Sequence, residues 1–132
     1  MDKDGYIKYD DLNEFISNAI LFRVIVKKFM TWYNRDIRIT SLFRGRDHNT
    51  LVGGVKYSKH LLDCAMDFNY PIDYSSWTNV RRAEFRQNIK NKATELAEGH
   101  GVSVGLIFYN DRNCIHMDFC VRDKHYIHDM YE

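Results

Sequence analysis

From Leu12 onward the apolar residues Phe15, Ile16, Ala19, Phe22, Ile25, Val26, Phe29 and Tyr33 return every three or four positions, the spacing that lines one face of a helix. Asp11, three residues ahead of Glu14, has the form of a capping box, so one long helix or two abutting ones are predicted to about Asn34. Between Ala19 and Val26 the chain is apolar nearly all round, which predicts central burial, with a strand as the alternative for so short a run. Ile37 to Ser41, IRITS, alternates as a strand does. Arg44 to Tyr57 shows no period and carries glycines at 45, 53 and 54; an irregular stretch of that length in a small domain is a place for function.

Beyond it, Ser75 or Ser76 can cap a second helix through Trp77, Val80, Ile89, Ala93, Leu96 and Ala97, closed by Gly99. Its cations Arg81, Arg82, Arg86, Lys90 and Lys92 read as a solvated face. VSVGLIFY (102 to 109) and CIHMDFCV (114 to 121) then read as two strands joined by the polar turn NDRN, an antiparallel hairpin. Helices come first and strands gather late, so the fold class is α+β, with N-terminal helices packed on a small antiparallel sheet.

Bulk properties narrow this picture. At 132 residues the chain can bury one core and not two, so a single domain over residues 1–132 is expected. A net charge of +1 gives no electrostatic reason to expect nucleic acid or a membrane surface. The apolar run AILFRVIV is too short to span a bilayer, and MDKDGYIKYD lacks the apolar segment of a secretory signal, so synthesis as a soluble monomer in the cytoplasm is expected. The three cysteines, Cys64, Cys114 and Cys120, are odd in number and contain no C-x-x-C pair, so neither a disulfide framework nor a zinc ribbon is predicted; Cys114 and Cys120, flanking His116, read as small hydrophobes, with soft-metal binding as the alternative.

Three local patterns lead nowhere further. DKDGYIKYDDL imitates the second half of a calcium-binding EF-hand loop, yet its first ligand position would precede Met1 and Asp11 stands where the closing glutamate belongs. GHGVSVG follows a helix instead of opening one, so it is no phosphate loop. His125 and His128 in KHYIHDMYE are expected on a docked or disordered tail.

The chemistry concentrates elsewhere. Alternation along the second hairpin strand puts Ile115, Met117, Phe119 and Val121 on a core face, and Cys114, His116, Asp118 and Cys120 on the other. In VGGVKYSKHLLDCAMDF, Ser58, His60 and Asp67 interrupt a stretch that otherwise reads as core. His60 and Asp67 are seven apart, so they converge only where the chain turns or bulges between them. If they do, His116 can supply a third ligand, and two histidines with one carboxylate are the donor set of a catalytic zinc site with a position left open.

At these residues the chain resembles the D-alanyl-D-alanine carboxypeptidase type of zinc peptidases. That group includes phage L-alanyl-D-glutamate endolysins and shares the Hedgehog/DD-peptidase fold. The pattern there is an arginine, H-N, V-G-G, S-x-H-x-x-G-x-A-x-D and a late histidine in a strand of the type V-H-V-D. Here it is met by Arg44, His48 with Asn49, Val52 with Gly53 and Gly54, Ser58, His60, Ala65, Asp67 and CIHMDF around His116, over a motif region of about 37–121. The resemblance implies that His60, Asp67 and His116 bind zinc, that Arg44 and Ser58 sit over the substrate, and that the partner is a peptidoglycan stem peptide. An arginine fork pairs with a carboxylate or an oxyanion in a way that lysine does not.

Two departures from the pattern bear on mechanism. Asp63 replaces a glycine, a change that aspartate tolerates better than most residues at positive φ. Asn113 stands three residues before the last histidine, where many members carry the catalytic acid, and an amide cannot accept the proton. Asp111, in the turn, is the first candidate for the base; Asp118, on the face of His116, is the second and is also expected to orient a ligand imidazole. The implied reaction is metal-assisted amide hydrolysis on the cell wall, reached by phage-mediated release or on a virion, with Arg44 stabilising the oxyanion. The alternative is a zinc-containing domain that binds wall or protein without cutting.

Overall fold

The computed structural model describes residues 12–41, 64–120 and 123–132. Helix α1 runs over Leu12–Tyr33 and ends where Asn34, at φ 50°, turns into the left-handed region that asparagine tolerates. Phe22, Ile25, Val26, Phe29 and Tyr33 are buried, whereas Ile20 and Val24 are exposed. The all-round apolar run is therefore helical and buried along one stripe, a correction to central burial.

Strands β1 (Ile39–Ser41), β2 (Ala65–Phe68), β3 (Ser103–Phe108), β4 (Ile115–Cys120) and β5 (Tyr126–Asp129) form one sheet in the order β1-β2-β4-β3-β5. Met66, Phe68, Val104, Leu106, Phe108, Ile115, Met117 and Phe119 point to the core under the helices, each 1% exposed or less. α1 lies over β4, and its Phe22 and Phe29 rings meet Phe119 and Phe68 at 6.4 and 6.1 Å. Each such ring removed from water contributes roughly 2–3 kcal/mol.

Helix α2, Asn79–Gly99, begins later than Ser75 or Ser76. Both serines belong to a short 3₁₀ turn, Tyr74–Ser76, and the Ser76 hydroxyl donates back to Asp73 O at 2.6 Å. The hydroxyl that faces forward is that of Thr78, which accepts from Arg81 N at 3.1 Å and caps the helix. Trp77 packs beneath the cap, 6% exposed, with the Arg81 guanidinium 3.9 Å over its ring. At the far end Gly101, at φ 69°, and Val102 donate to Glu98 O and Ala97 O, closing the helix by a Schellman motif around Gly101 and not by Gly99.

The C-terminal tail corrects two expectations. β5 pairs parallel to β3, so the sheet is mixed and not purely antiparallel. It returns beside α2 and sets Asp129 against Arg86 and Lys90, both at 2.8 Å and all three nearly buried. Arg86 and Lys90 thus leave the expected solvated face; a residue 39 or more positions away in sequence removes them from water. His125 joins the same closure, its Nδ1 accepting from Val104 N at 3.0 Å.

Cys64 and Cys120 form a disulfide with Cα atoms 6.2 Å apart, contrary to the expectation of no disulfide; Cys114 takes no part in it. Pairing of β2 with β4 brings the two together across 56 residues, and nothing in their spacing announces it. Among the described residues no helix is long and apolar enough to cross a membrane.

Candidate metal centre

β2 and β4 pair antiparallel with Asp67 directly opposite His116. Strand alternation turns both away from the helices, onto the outer face of the sheet. Asp67 Oδ1 lies 2.9 Å from His116 Nδ1, and Asp118 Oδ2 lies 2.7 Å from the other ring nitrogen, Nε2. The imidazole is thus held at both ends by carboxylates, with side-chain exposures of 19, 16 and 6% for Asp67, His116 and Asp118. Burial opposes a charge on the ring, but the bonds to Asp118 and Asp67 outweigh it and push His116 up to about 9.

An imidazole nitrogen and a carboxylate oxygen facing each other are a fitting donor pair for zinc. Two such atoms on one tetrahedral ion stand about 3.4 Å apart, so this pair would part by about half an ångström, within reach of side-chain rotation. Nδ1 would then face the ion while Nε2 keeps its proton, and Asp118 is placed to accept it, the outer bond that fixes a ligand histidine. Among the described residues no group of three histidines, cysteines or acids could hold a metal ion. His60, the expected third ligand, lies outside the described residues, as do Arg44, Ser58, His48, Asn49, Gly53, Gly54 and Asp63.

The two candidates for the base sit differently. Asp111 lies in the β3–β4 turn with a half-exposed side chain, bonded to Arg112 Nε at 3.2 Å, and Arg112 holds its carboxyl below the usual range. Among the described residues it makes no hydrogen bond to Asp67 or His116. Asp118 is committed to His116. Asn113 has a structural partner: its Oδ1 accepts from Tyr70 N at 2.9 Å, tying the hairpin to the chain leaving β2.

Two features beside the pair escaped the sequence reading. The Cys64–Cys120 bridge joins the residue before β2 to the last residue of β4, flanking Asp67 and His116. Gly105 faces Asp118 across β3 and β4. A lone glycine inside the apolar run VSVGLIFY was the available signal, since glycine within a strand often marks a close approach.

In comparison with known proteins, a family model described as Peptidase M15 fits residues 10–118, from just ahead of α1 to Asp118. It takes in α1, which the motif region of about 37–121 leaves out. No curated protein and no solved structure matches the chain.

Proposed function

The chain belongs to the peptidase M15 family, and from that membership we propose a zinc-dependent enzyme that hydrolyses an amide bond in the stem peptide of bacterial peptidoglycan, as a carboxypeptidase or an endolysin-type endopeptidase. The observation that carries the reading is the meeting of Asp67 and His116, 49 residues apart, at 2.9 Å on one face of the sheet. That pair supports a ligand set of His60, Asp67 and His116.

Zinc, when bound, supplies Lewis acidity toward a carbonyl and makes water a stronger acid. The chain's own part is positional. Asp118 would keep the proton on Nε2 while Nδ1, which faces Asp67, gives up its own proton to become a ligand atom. Arg44 and Ser58 hold the substrate, the guanidinium pairing with a carboxylate or a developing oxyanion. Asp111 and Asp118 are the candidates for accepting a proton, and each would first release its partner, Arg112 or His116. The protein would act on the wall after phage-mediated release or carriage on a virion.

Incubation of the purified protein with peptidoglycan, with and without a chelator, tests the reading by mass spectrometry of released peptides. Release that continues in His60→Ala would defeat it.

A second reading, a zinc-holding domain that binds wall or protein without cleaving it, draws on Asn113, an amide committed to Tyr70 N at the position where many relatives carry an acid. Retention on peptidoglycan with no peptide released would favour it.

A further inference from the structure

We infer that Gly105 is a positioning residue for the metal centre, because its lack of a side chain is what allows Asp118 to lie against β3 and hold the His116 imidazole. This rests on the reading of His116 as a metal ligand. β3 and β4 pair with Gly105 opposite Asp118 and Ile107 opposite His116. Residues in direct register hold their Cβ atoms about 4.5–5.5 Å apart, so an ordinary side chain at 105 would stand beside Asp118. Here the carboxyl occupies that space: a Cβ built on Gly105 would meet the Asp118 carboxyl carbon at 2.7 Å, with both oxygens nearer still.

The position matters for reach. Residues two apart on a strand are separated by roughly 6.5–7 Å, so a short aspartate bonds the side chain at i−2 only by leaning out of the upright orientation. The room over Gly105 is where it leans, and Oδ2 meets His116 Nε2 at 2.7 Å. With a side chain only 6% exposed, Asp118 has little solvent-filled space as an alternative.

Backbone conformation does not explain the glycine. Gly101 has positive φ among the described glycines and Gly105 does not, so alanine could adopt the backbone there. Glycine also weakens a strand interior and packs nothing. What remains is space. Since the atoms in the way are the end of a side chain, substitution should displace the carboxylate and spare the strand pairing.

The experiment compares wild type, Gly105→Ala, Asp118→Ala and the double variant. Zinc affinity is measured by competition with a chromogenic chelator, and the imidazole N–H signals of the metal-free proteins by proton–nitrogen NMR. Gly105→Ala is expected to fold, to bind zinc about 10–100-fold more weakly, and to lose the exchange-protected His116 Nε2–H signal. In the Asp118→Ala background it should weaken zinc binding no further, as expected of residues acting through one contact. Wild-type affinity with an unchanged imidazole signal, or an equal further loss in that background, would overturn the inference. If Gly105→Ala does not fold, recovery of folding in the double variant supports action through Asp118, and continued failure refutes it. If wild type binds no zinc, the peptidase reading falls, while the imidazole spectrum still decides the part played by Gly105.

Discussion

Asp67 Oδ1 and His116 Nδ1 stand 2.9 Å apart because β2 and β4 pair in the register that puts the two residues directly opposite each other. A slip of one residue in that register would send one of them to the helical face, so the pair depends on the whole pairing and on the core that enforces it. Met66 and Met117, the neighbouring opposed pair, are both fully buried and point the other way. The hydrophobic side of the sheet thereby determines what meets on its outer side.

Replacing either member of the pair should abolish metal binding while leaving the core intact. Asp67→Ala and His116→Ala are expected to lose more zinc affinity than the roughly 10–100-fold that removal of an outer partner costs. Calorimetric titration with zinc checks this, and a wild-type affinity in either variant would remove that residue from the ligand set.

The disulfide should be a principal stabiliser. In the chain-entropy account, closing a loop across 56 residues constrains the unfolded chain by about 4 kcal/mol. Cys64→Ser with Cys120→Ser, or a reductant, should lower the melting temperature substantially, while Cys114→Ser should change it little. Thermal melts with thiol counting by mass spectrometry measure both.

Asp129 joins β5 to α2 through Arg86 and Lys90, and Asp129→Asn should destabilise by about 3 kcal/mol, chiefly by leaving the buried Arg86 without its anion, since Lys90 keeps Glu132 at 2.8 Å. Burial raises its pKa, but bonds from Lys90 and Arg86 outweigh that and hold the carboxyl below its ordinary value. A depressed folded-state pKa means stability that is fully present above the unfolded value and is lost as pH falls through the folded one. Denaturant unfolding should therefore show this contribution unchanged from neutral pH down to about 4 and declining in more acid solution, with Asp129→Asn lacking that part of the decline.

The ends of α2 offer a smaller test. Thr78→Ala removes the acceptor for Arg81 N and should cost about 1 kcal/mol. Gly101→Ala places a Cβ on a residue at φ 69° and should cost about 1–2 kcal/mol. Ser75→Ala and Ser76→Ala should keep unfolding midpoints above that of Thr78→Ala, since neither serine caps the helix.

Local periodicity was sufficient for α1, for the β3–β4 hairpin and for the outward face shared by His116 and Asp118, because each is set by residues within a turn or a strand of one another. The motif resemblance supplied the peptidase family and a proposed ligand set, of which Asp67 and His116 come together and His60 lies outside the described residues. Tertiary structure alone decided the Cys64–Cys120 bridge, the parallel placement of β5, the burial of Arg86 and Lys90 by Asp129, and the space over Gly105 that Asp118 fills. Each of these joins residues from separate elements. A cysteine, a cation or a glycine carries no sign in its immediate neighbours of the strand that will arrive beside it, and its partner is settled only when sheet register and core packing bring distant segments into contact.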